Sequence, residues 1–80
     1  MVMTKTEADF LNAMIAHHTA AVTMSRQYLV DTKPADRTPD VANLARNIIT
    51  AQTSEIAAMR GWLSDAGRPV TAGQGSGMRM

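Results

Sequence analysis

The stretch DFLNAMIAHHTAAVTMSRQYLV, residues 9–30, decides the fold. Its apolar residues Phe10, Leu11, Met14, Ile15, Ala21, Val22, Tyr28 and Leu29 recur at three- and four-residue spacing, which is the period of one helix face. Asn12, Thr19, Thr23, Arg26 and Gln27 fall on the other side. Thr6, with Asp9 three residues later, makes an approximate capping box, so the pattern predicts a helix over residues 7–30. Two adjacent histidines, His17 and His18, stand in the middle of the apolar face, with Met14 and Met24 around them. A helix hides hydrocarbon on such a face. Imidazoles placed there cost stability unless something pairs with them.

Downstream, DTKPADRT (31–38) is polar, aperiodic and contains Pro34, which marks a turn. Thr38-Pro39 restarts the chain, with Thr as N-cap, Pro at the first helical position and Asp40 in the first turn. A second helix is predicted over residues 39–66. One of its faces carries Val41, Leu44, Ile48, Gln52, Glu55, Ile56, Met59, Trp62 and Leu63, while Arg46, Thr50, Thr53, Arg60 and Ser64 face away. Gly67 followed by Pro69 is a stop signal. The remainder, 69–80, is Gly-rich and reads as a flexible tail behind a hairpin domain of residues 1–68. The expected fold class is all-α: an antiparallel helical hairpin with a short connection. Each helix has more apolar face than a hairpin covers. Homodimerisation into a four-helix bundle is the economical way to bury the rest.

Eighty residues, 45% of them apolar but only three aromatic, make one small domain with little core. The net charge of +1 and the lack of any basic cluster give no case for a nucleic-acid partner or a membrane-surface helix. No stretch approaches the roughly 20 apolar residues of a membrane span. The absence of cysteine excludes disulfides and thiolate chemistry. The opening MVMTKTEAD does not read as a secretory signal. There is no nucleophile–base pair, phosphate loop or acid/base carboxylate pair, so the expectation is a protein that is not an enzyme.

A hairpin centred near Pro34 and Ala35 sets His17 opposite Gln52, Met14 opposite Glu55 and Phe10 opposite Met59. Both histidines then point inward. The polar groups of two separate apolar faces arrive at one level of the bundle. Two readings stay open at this point. In one, Met14, His17, His18, Glu55 and Met59 bind a metal ion, with Met24 about 15 Å along the axis from Met14 as a second site or a ligand across a dimer interface. In the other, the histidines and Glu55 form a buried polar network that fixes helix register in a structural or interaction module. For a metal, thioether with imidazole suits Cu(I) and Ag(I), and imidazole with carboxylate suits Cu(II). Zinc rarely takes methionine, and two glutamates, Glu7 and Glu55, supply a di-iron site poorly.

The run DFLNAMIAHHTAAVTMS resembles the signature of the CopM-like bacterial proteins, classed as a domain of unknown function. LARNIITAQTSEIAAMRGWL resembles that family's closing signature, Gln-x-x-Glu-Ile-x-x-Met and Trp-Leu. Together they cover about residues 9–63. The resemblance implies a ferritin-like helical bundle, an extracytoplasmic setting, and binding of copper or silver for sequestration or handover. Carried over by position, Met14, His17, His18, Met24, Glu55 and Met59 match motif residues. Two departures stand out. Ala16 occupies a position where the family often has proline, and only one copy of the hairpin is present, which favours dimerisation. Met78 and Met80 are left as weak candidate ligands.

Overall fold

Two 27-residue helices, α1 (Lys5–Asp31) and α2 (Pro39–Asp65), run antiparallel as a hairpin in a computed structural model that describes residues 1–72. No strand occurs among the described residues. The chain measures 49 × 26 × 15 Å, little more than one helix thick.

α1 begins earlier than the Thr6 cap predicts. Thr4 is the N-cap: its hydroxyl accepts from the Glu7 N–H at 3.1 Å, and the Glu7 carboxylate accepts from the Thr4 N–H at 3.0 Å. Glu7 reaches back to the cap and completes the box, satisfying two helix-end donors at once. At the other end the Thr32 N–H donates to the Tyr28 carbonyl at 3.0 Å. Arg37 holds the turn from outside. Its Nε donates to the Thr32 carbonyl at 3.0 Å and its Nη2 to the Leu29 carbonyl, which satisfies acceptors the helix end leaves open. A 3-10 turn, Pro34–Asp36, lies between. The Thr38 side chain makes no capping hydrogen bond. The start of α2 rests on Pro39, whose missing N–H is not needed there. α2 ends in a Schellman motif: the Gly67 N–H donates to Ser64 at 3.0 Å and the Arg68 N–H to Leu63 at 2.9 Å, with Gly67 at φ 69°.

Each helix buries one seam of alternating three- and four-residue steps. On α1 these are Ala8, Leu11, Ile15, His18, Val22, Ser25 and Leu29. On α2 they are Ala42, Ala45, Ile49, Gln52, Ile56, Met59 and Leu63, continued by Ala66 at its C-cap. This is the period of helices packed side by side. Small residues, Ser25, Ala42 and Ala45, fill the seam towards the turn. The larger core of Ile15, Met59 and Leu63 lies at the open end, where Met3 and Ala8 join it.

A second seam of the same period lies beside the first on each helix. On α1 it runs Phe10, Met14, His17, Ala21, Met24 and Tyr28; on α2 it runs Val41, Leu44, Ile48, Ala51, Glu55, Ala58 and Trp62. Phe10 with Trp62, and Met24 with Ile48, line common hollows, so the two seams form one side of the slab. That side is wet: Phe10, Met24, Leu44 and Trp62 are all exposed. The opposite side carries Thr19, Thr23, Arg26, Arg46, Thr53 and Arg60 and is polar.

The tail differs from expectation at its start. Pro69–Ala72 is not loose but held on α1 by Asn12. The Asn12 side-chain amide donates to the Pro69 carbonyl at 3.2 Å, and its oxygen accepts from the N–H groups of Thr71 at 2.9 Å and Ala72 at 3.2 Å. Val70 and Ala72 pack against the core. Arg68 donates through Nε and Nη2 to the Met3 carbonyl, tying the segment before α1 to the end of α2. Asn12, expected on the outer side, is half-buried for this reason. The rest of the tail, including Met78 and Met80, lies outside the described residues.

Candidate metal centre

His18 is buried in the hairpin seam, and its Nε2 lies 2.6 Å from Glu55 Oε1. The register is therefore one turn from the expected one. Glu55 meets His18 rather than Met14, because α1 runs on to Asp31 and the 3-10 turn moves the centre of the connection beyond Ala35. The pair is asymmetric in its surroundings. The His18 side chain is 11% exposed and that of Glu55 59%, so the carboxylate keeps most of its water and the expectation of a buried Glu55 is corrected. Nδ1 of His18 is buried and has no hydrogen-bond partner, and neither has Oε1 of Gln52, one turn before Glu55.

Met14 and Met59 line the same groove as His18 and Glu55. The groove has a volume of about 240 Å³, with Phe10, Leu11, Ala58 and Trp62 as its apolar walls. Met59 is buried and Met14 half-buried. Two methionines, one histidine and one glutamate from two helices thus line one hollow. At 2.6 Å the imidazole and carboxylate are in hydrogen-bond contact, so an ion bound to both must push them apart. Glu55, on the wet side, is the member that can move.

His17 and Met24 do not join them. His17 is exposed, contrary to the expectation that both histidines point inward, and Met24 is 70% exposed. Successive helix residues diverge by about 100°, and a two-helix contact covers a stripe too narrow to hold both 17 and 18. His17 and Met24 line a separate hollow with Ala21, Ser25 and Ile48. The two histidine rings are 6.4 Å apart between centroids and inclined at 63°. Among the described residues of one chain no three of His, Cys, Asp and Glu stand close enough to hold a metal ion together.

Residues 7–80 match the family model of a domain of unknown function, DUF305. The chain belongs to this family. The match covers α2, all of α1 but its first two residues, and every residue of the groove. No curated protein and no solved structure matches the chain. No described helix is long and apolar enough to cross a membrane.

Some residues that shape the site were not expected there. Ala58 is the small wall that keeps the groove open beside Glu55, and Phe10 and Trp62 border it instead of filling the core. Met3, close to the start of the sequence, is in the core. The spacing of Phe10, Met14 and His17 does carry a signal: it continues the second seam, separate from the one through His18.

Proposed function

We propose that this protein binds copper as Cu(I), with Ag(I) as its chemical equivalent, for sequestration or handover, and that it is not an enzyme. The observation that carries this reading is the meeting of Met14, Met59, His18 and Glu55 in one groove. Soft thioethers with one imidazole favour a soft monovalent ion over zinc or magnesium. The resemblance to the CopM-like proteins, several of which bind copper or silver, supports the same choice. Glu55, movable and hydrated, suits a site that must load and release. Copper held by an imidazole is released in acid, since a protonated ring has no lone pair to give. The working form is a homodimer in which two hairpins make a ferritin-like four-helix bundle. The apolar side of the slab supports this, because a two-helix layer with one polar and one apolar side needs a second layer.

The test is thermal melting and equilibrium titration with Cu(I), then with Ag(I), on the parent and on Met14→Leu. An ion that binds only the folded state raises the melting temperature. Met→Leu keeps the volume and removes the sulfur, so binding should weaken while apo stability changes by less than about 1.5 kcal/mol. Unchanged melting together with no stoichiometric uptake would reject the copper reading. It would leave His18 and Glu55 as a structural pair, the alternative that their 2.6 Å contact favours.

A further inference from the structure

We propose that the metal site is shared between two copies of the chain, with His17 of a second copy completing the donors Met14, His18, Glu55 and Met59. This rests on the copper reading above and adds where the missing donor comes from. Within one copy His17 is left out: it lines the hollow of Met24 and Ile48, whereas His18 lines the groove with Glu55. Yet His17 stands in the second seam between Met14 and Ala21, a polar group in an otherwise apolar row, as Glu55 does on α2 between Ala51 and Ala58. Covering that side buries both, which is costly unless they find partners.

The side is large enough to hold a second copy. Twenty-seven residues of helix extend about 40 Å, and two helices about 10 Å apart give a face about 20 Å wide. This is roughly 800 Å² per copy, the size of a standard stable interface. Only one side of the slab is apolar, so a second hairpin can cover it with the same side of its own. Symmetry then places the histidines. His18 is the central residue of Lys5–Asp31. A two-fold that pairs the hairpins over their full length returns the central level to itself, within about a turn. With that two-fold parallel to the helices, α1 of the second copy lies over α2 of the first, so the second copy's His17 comes over the Glu55 groove of the first, and the reverse holds too. The result is two equivalent sites per dimer, each with a second imidazole.

The test uses Ag(I), which has no redox chemistry here, on the full chain, with sedimentation and calorimetric titration of the parent, His17→Ala, His18→Leu and their equimolar mixture. Circular dichroism of each variant confirms the helices. The parent should be a dimer, and His17→Ala, a change at an exposed position, should weaken Ag(I) binding by at least about tenfold. In the mixture, a mixed dimer has one site with both histidines intact and one with neither. Random pairing then restores roughly a quarter of the parent's tight sites. That recovery establishes sharing, because no single copy in the mixture has both histidines. A parent that binds Ag(I) while the mixture recovers nothing puts both histidines in one copy and overturns the inference, leaving the copper reading in place. So does His17→Ala binding as the parent does, or a parent that binds as a monomer. A parent that takes up neither Ag(I) nor Cu(I) removes the copper reading itself.

Discussion

The two seams of this hairpin have the same period and much the same amino acids, but one is dry and the other wet. Ile15 and Leu63 on the inner seam are 1% and 0% exposed, while Leu44 and Trp62 on the outer seam are 57% and 47% exposed. Periodicity states which residues share a face. The number of neighbouring helices decides how many faces are covered. The adjacent histidines show the same contrast at the scale of one peptide bond. His18 falls in the inner seam and meets Glu55, and His17 falls in the outer seam and meets water.

The strongest way to break the contrast is to cut a side chain from each seam. Leu63→Ala should cost about 2–5 kcal/mol, since a fully buried leucine leaves a cavity behind. For a domain of this size that lowers the melting temperature by roughly 10 °C or more. Leu44→Ala should cost less than about 0.5 kcal/mol at dilutions where only the monomer exists. If Leu44→Ala becomes costly as concentration rises, the outer seam is covered in solution. If its cost stays small at every concentration, the outer seam remains a wet surface.

A smaller effect is expected at the tail. Asn12→Ala removes the side chain that binds Pro69, Thr71 and Ala72 and should cost about 1–2 kcal/mol by chemical denaturation. Cutting the chain after Pro69 should cost a similar amount, because Val70 and Ala72 leave the core. A melt unchanged by both would return the tail to the loose segment that its composition suggests.

The smallest effect should come from the histidines in the absence of metal. His18→Leu replaces a ring with a buried, unpartnered Nδ1 by hydrocarbon, and Glu55 stays hydrated, so stability should hold or rise by about 1 kcal/mol. His17→Leu, on the wet side, should leave the melt of the monomer unchanged. A loss of about 3–5 kcal/mol for His18→Leu would instead mark the pair as a structural ion pair whose members depend on each other.

Much of the fold was legible because its signals are local. The three-and-four spacing, Pro39 and the Gly67 stop each act within a turn or two of helix, and the helices run where they indicate. The cap of α1 is Thr4 and not the expected Thr6 because Glu7 completes the reciprocal box with Thr4. What was not legible depended on distant partners. Asn12 looks like an outward polar residue until residues 69–72 arrive beside it, and a Gly-rich tail gives no hint that its first residues dock. The site was half legible. That Met14, His18, Glu55 and Met59 share a groove follows from their spacing once the register is known. The register depends on the shape of the turn, and one turn of error exchanges the partner of Glu55. That His17 and His18 separate could not be read from a face treated as one broad stripe, because the boundary between the seams is drawn by the packing of α2.

The latch formed by Asn12 and Arg68 also bears on how the hairpin comes apart. Near a tight turn, chain connectivity keeps two helices together at little entropic cost, whereas the far end must close a loop of about 60 residues. Here the bulky core and the hydrogen bonds that tie Met3 to Arg68 and Asn12 to residues 69–72 all sit at that far end. The small side chains are near the turn. Covalent tether and packing strength are thus divided between opposite ends. Fraying is opposed where it would ordinarily start, and the amide hydrogens slowest to exchange with solvent should belong to the end of the hairpin farthest from its turn.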